Sequence, residues 1–231
     1  MKKLLLILFV SNTANAQILC NGWQQSPGGT PLRLYLSATT GGTAISPTQD
    51  AGWEIFSGFD RRSMSATKDG STIASKVSGA TGIAAAGNRD VLIAQFIGPS
   101  MGAGTLSGSI TAQIRGNTSA APKGKMTLII RVIASNGTTV RGIAYSSLGA
   151  GVGTDYTATL TNRSLTSVAL TPIATTSGDY PVAEFGWTYT TGSGNTNGTQ
   201  SFGSSSGTDL PVDNTTTSVN TPWIEFSNGL P

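Results

Sequence analysis

Carboxylate acid–base chemistry in this chain is read first from its three glutamates, Glu54, Glu184 and Glu225, because the sequence contains no histidine. That absence removes Ser-His-Asp triads, His-ligated zinc and imidazole proton transfer together. What remains is carboxylate-pair chemistry. A glycosidase sets two carboxylates on one groove, about 5–5.5 Å apart for retention or about 6.5–9.5 Å for inversion. Glu184 opposite Glu54 or Glu225 is the pairing that would serve. No two carboxylates, however, fall at i, i+2 or i, i+4 on one strand-like run, and an isolated Glu on a strand is ordinarily a solvated residue. The pattern reads as non-enzymatic.

Binding chemistry has a better foothold. Over residues 182–190, Phe185, Trp187 and Tyr189 alternate onto one face, with Glu184 and Thr188 on the other. Three rings in a row could make a flat platform for sugar rings, with Asn195, Asn197 and Gln200 close by as hydrogen-bonding groups. The competing reading is that the rings, with Ala183 on their face, fill a core. The Trp23 region is a second candidate for sugar contact. Asp209 and Asp213, with Asn214, share one loop and could offer oxygens to Ca²⁺, although no D-x-D-x-D-G pattern accompanies them. No other cofactor is indicated.

The elements that must position these residues are strands. The chain has 231 residues, 38% hydrophobic and only 11% charged, with 30 Gly. Such a composition suits many short strands joined by polar turns. No stretch of about 12 residues spaces its apolar positions as a helix would. Period-two alternation recurs instead, most clearly over residues 106–115, where Leu106, Gly108, Ile110, Ala112 and Ile114 share one face and the other face is polar and expected to be wet. Residues 126–134 (MTLIIRVIA) are apolar on nearly both faces and read as a central strand. Asn136-Gly137 follows, then residues 138–145, a hairpin signal that expects positive φ at both turn positions. Further strands are expected at 31–37, 53–56, 72–77, 91–97, 165–173, 182–190, 200–202 and 223–227. The sum is an antiparallel β-sandwich of jelly-roll type over residues 30–231, one domain.

The segments AGWEIFSGFDRR and TPWIEFSNGLP echo each other. In the first, Trp53 shares a face with Ile55; in the second, Trp223 shares a face with Glu225. Two copies of a functional motif would present the same surface, so the echo reads as two strands, each giving an aromatic to the core.

The N-terminus resembles an export signal: Lys2 and Lys3, an apolar run at 4–10, then Ala14-Asn15-Ala16 as a cleavage site. Residues 17–29 read as a mobile arm. Without residues 1–16, 12 Lys+Arg stand against 11 Asp+Glu, a balance of +1. No basic patch remains for nucleic acid, since the one adjacent pair is Arg61-Arg62. The apolar run is too short to span a bilayer. The single cysteine, Cys20, cannot close an internal disulfide.

Several stretches, LSGSITAQIRG, MTLIIRVIASNGTTVRGIAYSS, LTSVALTPIATTSGDYPVAEFGW, GTDL and PWIEFS, with AGWEIFSGFDRRSMS at the front, resemble a group of small, mostly uncharacterised β-sandwich proteins of tailed phages and environmental viral sequences. That resemblance implies a virion or cell-surface structural context and assigns no catalytic residue. The expectation is a non-enzymatic structural or adhesion module, exported or virion-displayed, assembling with copies of itself or with other surface proteins. A carbohydrate-binding module is the alternative, and a glycan-degrading enzyme is third.

Overall fold

The computed structural model describes residues 29–54, 56, 58–72, 74–78, 89–119, 124–189, 197–205, 207–218 and 221–231. The leader, the arm up to residue 28, Trp23 and Asn195 lie outside the described residues. Within them the chain is all-β, as its composition requires. The strands are β1 (Leu32–Thr40), β2 (Asp60–Ser65), β3 (Ala74–Ser78), β4 (Arg89–Ile97), β5 (Gly104–Leu106), β6 (Ser109–Thr118), β7 (Lys125–Ile133), β8 (Val140–Ser146), β9 (Thr161–Ala169), β10 (Ile173–Thr175), β11 (Tyr180–Tyr189), β12 (Gly198–Phe202) and β13 (Trp223–Phe226).

Eleven of these strands form one sheet, ordered β3-β12-β6-β13-β1-β2-β4-β11-β7-β8, with β9 also paired to β6. The pairs are antiparallel except β2–β4, which is parallel. The sheet doubles over on itself. β12 and β4 lie five places apart in the order, yet the rings of Phe202 and Phe96 meet edge-to-face with centroids 4.9 Å apart. The two layers of the sandwich therefore belong to one sheet, folded near β1–β2, where the register slips between Leu36 and Thr40. Between the layers lies the main core: Leu34, Ile110, Ile114, Ile224 and Phe226 from one side, Ile93, Phe96, Leu128, Ile130 and Phe185 from the other.

Local chemistry explains most of the strands. β7 and β11 read as apolar on both faces because both of their faces are covered. The β7–β8 hairpin forms at Asn136-Gly137, but only Gly137 has positive φ, 74°. Asn136 acts through its side chain instead, its Oδ1 accepting the backbone N–H groups of Thr138 and Thr139 at 3.0 Å.

Four expectations need correction. Trp53, Glu54 and Phe56, the described residues of the strand expected at 53–56, are not in a strand: Asp50 and Gly52 turn the chain just before them, with the Gly52 N–H on Asp50 Oδ1 at 2.9 Å. Residues 165–173 break into the end of β9 and the start of β10. The run 106–115 also divides, because Gly108 takes a φ of 89° between β5 and β6. Its polar face is wet only in part, since Ser107, Ser109 and Thr111 are half-buried while Gln113 and Arg115 are buried under residues 210–217. Arg115 donates to the Thr217 carbonyl there.

Candidate functional site

The aromatic face of β11 points inward. Phe185, Trp187 and Tyr189 are each 0% exposed and belong to the main core. Trp187 and Tyr189 pack edge-to-face at 5.8 Å, as do Phe96 and Phe185. Rings with no exposed surface cannot stack on a sugar, so the platform expected at these three residues is corrected to core. Gln200 is corrected with them: it is buried, and its Nε2 donates to the Tyr156 hydroxyl at 2.9 Å and the Gly186 carbonyl at 2.7 Å.

Glu184 lies on the opposite face of β11 and is sealed. A strap of residues 45–54 crosses that face and covers it. The carboxylate accepts from Trp53 Nε1 at 2.6 Å, from Gln95 Nε2 at 2.9 Å, from the Asp50 backbone N–H, and from Arg131 Nη2. Arg131 also donates to the Thr48 carbonyl at 2.6 Å. The Trp53 indole can lie this close because its neighbour is Gly186. A Cβ at Gly186 would meet Trp53 Cζ3 at 2.7 Å. Glu184 and Arg131 thus form a desolvated ion pair in which both carboxylate oxygens are engaged while Arg131 Nε is buried without a hydrogen-bond partner, a structural device with no room for substrate.

Glu225 lies in different surroundings. In β13 it faces the same way as Trp223, as the sequence spacing implies, while Ile224 and Phe226 enter the core. The register of β1 on β13 sets Arg33 opposite Glu225 and Tyr35 opposite Trp223. The Arg33 guanidinium carbon lies over the Trp223 ring, 3.7 Å from its centroid. Its Nε and Nη2 donate to Glu225 Oε2 at 3.1 and 2.9 Å, and its Nη1 donates to Asp209 Oδ2 at 2.7 Å. Asp209 also pairs with Lys68 at 2.7 Å and accepts from the Tyr35 hydroxyl at 3.2 Å. Lys68 in turn sits 5.1 Å over the Tyr35 ring.

Arg33, Tyr35, Lys68 and Trp223 floor an open groove of about 660 Å³ whose far wall is the 207–212 segment, with Glu225 outside the lining. That segment is held to β13 by Trp223 Nε1, which donates to the Leu210 carbonyl at 2.8 Å, and by backbone bonds between Leu210 and Thr221 and between Thr221 and Thr208. Asp69 fixes the loop carrying Lys68 by accepting from Ser37 Oγ, Ser204 Oγ and the Ser71 N–H. Val212, 51% exposed, forms the lip of the groove. Burial opposes the charge on Asp209, but hydrogen bonds from Lys68 and Arg33 outweigh it and hold the carboxyl below the usual range. Burial likewise opposes ionised Arg33, and its two carboxylates outweigh that and raise it. For Tyr35, burial and the Asp209 charge both push the phenol up.

Asp209 and Asp213, the expected calcium ligands, are occupied by protein donors. Asp213 accepts from the Thr215 and Thr216 N–H groups, the Thr216 hydroxyl and Asn162 Nδ2. Burial opposes its charge and these bonds prevail, bringing it down to about 2. Among the described residues, no group of three or more His, Cys, Asp or Glu could hold a metal ion.

No family model and no curated protein matches this chain. Its alignments to solved structures are weak. The structure of infectious bursal disease virus, Gx strain, aligns with 68% of this chain and 36% of that one, at 12% identity and a TM-score of 0.28. Two structures of a CocE/NonD family hydrolase from Staphylococcus aureus align with 87% and 86% of this chain and 35% and 34% of theirs, both at 12% identity and a TM-score of 0.31. The chain spans about a third of the length of each. Similarity at that level assigns neither family nor activity.

Proposed function

We propose that this chain is a non-enzymatic structural or adhesion module, exported or displayed on a virion, that works in several copies. The observation carrying this reading is the state of the three glutamates, each of which already has donors of its own. Glu184 is sealed beneath Trp53 with Arg131, Glu225 is clamped by Arg33, and Glu54 accepts from the Asp90 N–H at 3.2 Å. None is left as a bare acid or base facing a cleft, which is what carboxylate-pair hydrolysis needs.

Assembly is supported at the end of the sheet. β8 is the last strand in the order and carries Val140 and Ile143, 48% and 43% exposed. Thr171 N–H already donates to the Ala144 carbonyl at 2.8 Å, so the support is the exposed apolar pair Val140 and Ile143, which a second copy of this chain would cover in the same chemistry. Size-exclusion chromatography with light scattering tests the reading. Oligomers that the double change Val140→Lys and Ile143→Lys reduces to monomers are expected. A strict monomer at high concentration contradicts it.

A further inference from the structure

The Arg33–Trp223 groove carries the features of a prebuilt ligand site, and we infer that it binds a neutral polyhydroxylated ligand, the chemistry of an uncharged glycan. The inference rests on the adhesion reading and gives it a ligand class. Three observations carry it.

The first is charge balance. Arg33 and Lys68 face Asp209 and Glu225 at 2.7–2.9 Å, two cations against two anions. Arg33, Lys68 and Asp209 line the groove, and Glu225, outside the lining, neutralises Arg33 from its own side. An entering carboxylate or sulfate would therefore meet Asp209 and two cations that already hold carboxylates, and an ammonium would meet Arg33 and Lys68. A neutral hydroxyl meets no such opposition. It accepts from the guanidinium while donating to a carboxylate, and charge-assisted bonds of this kind are the strong ones.

The second is preorganisation. Arg33 is pinned between the Trp223 ring and two carboxylates, and Lys68 between the Tyr35 ring, Asp209 and the Gly207 carbonyl. Long side chains usually lose rotamer freedom on binding, which weakens affinity. Here the fold has already fixed them.

The third is shape. The groove is open, its volume of about 660 Å³ lies in the range of small-molecule sites, and Val212 on one lip offers apolar surface to a C–H face. Because cations already cover Trp223 and Tyr35, recognition here runs through hydrogen bonds more than ring stacking.

The test is an array of immobilised neutral oligosaccharides, with sialylated, uronate-bearing and sulfated glycans as a second arm. The full chain should retain at least one neutral glycan. Arg33→Ala and Arg33→Lys should each weaken that binding by about tenfold or more, since Lys keeps the charge but loses the fork. Val212→Asp, a change at an exposed lip that places no demand on folding, should weaken it too. Retention of acidic glycans alone, retention unaffected by all three variants, or no retention at all would each overturn the inference. Light scattering reads assembly whether or not a sugar binds, and the array reads the groove even on a monomer, so the two proposals fail separately.

Discussion

Two Arg–Glu pairs, each beside a tryptophan, occupy opposite layers of this fold and have been put to different uses. At Glu184–Arg131 the tryptophan is the lid: Trp53 closes over the carboxylate, and the side chains of the pair are 0% and 3% exposed. At Glu225–Arg33 the tryptophan is the floor: Trp223 lies underneath, and the side chains are 31% and 33% exposed. The residue types are the same. What differs is the segment that crosses the sheet face, because residues 45–54 cover the first pair and residues 207–212 stand beside the second. The covering segment, more than the strand, decides whether a charged pair is structural or available.

That contrast can be broken by stability measurements. Glu184→Ala should have the largest effect, about 3–5 kcal/mol of lost stability, because it strands the Arg131 charge in a desolvated site. Replacing both partners with apolar residues, Glu184→Leu with Arg131→Met, should restore much of the loss, as judged by urea denaturation. Trp53→Ala should also cost about 3–5 kcal/mol, combining lost packing with an uncovered pair. At the open pair, Glu225→Ala should cost only about 0.2–1 kcal/mol, since water and salt screen it. If Glu225→Ala and Glu184→Ala cost the same, the two sites are not distinct.

Acid sharpens the comparison from another side. Burial opposes the charges of Asp69, Asp179, Asp209 and Asp213, yet hydrogen bonds and neighbouring cations hold all four carboxyls below their ordinary range. A carboxyl lowered in the fold stabilises it fully above the unfolded value near 4 and loses that contribution as pH falls through the folded value. For Asp213 the folded value is about 2. Asp90 works in the opposite sense, because burial raises it despite the bonds from Thr188 and Gly149. Thermal midpoints should therefore fall between about pH 4 and pH 2, and a midpoint that rises through that window would contradict these assignments. The smallest expected effect is from calcium. Adding Ca²⁺ or removing it with EDTA should leave the midpoint in place, because Asp209 and Asp213 already have protein donors.

The strands were legible wherever a face was continuously apolar. β4 and β7 carry Val, Leu, Ile or Phe at most of their central positions, β11 interleaves Val182, Phe185, Trp187 and Tyr189 with small and polar residues, and both faces of all three are covered. β2 was not legible, because DRRSMS places Arg62 among its buried residues and reads as surface. Alternation in β11 showed that Phe185, Trp187 and Tyr189 share a face without showing which way that face points. The same period showed that Trp223 and Glu225 point together, which is the seed of the groove. Its remaining parts were hidden by distance. Arg33 reaches Asp209 across 176 positions, and Asp209 without its partners looked like a metal ligand. The strap over Glu184 has no periodic pattern, so its covering role emerges only when the chain is folded.

The most direct test compares one chemical group in the two settings, the hydrogen exchange of the Arg131 and Arg33 guanidinium protons followed by ¹⁵N NMR. Arg131 should exchange orders of magnitude more slowly than Arg33, limited by opening of the strap. Equal rates would mean that the first pair is as open as the second, and the division into a sealed structural pair and an available binding pair would fall.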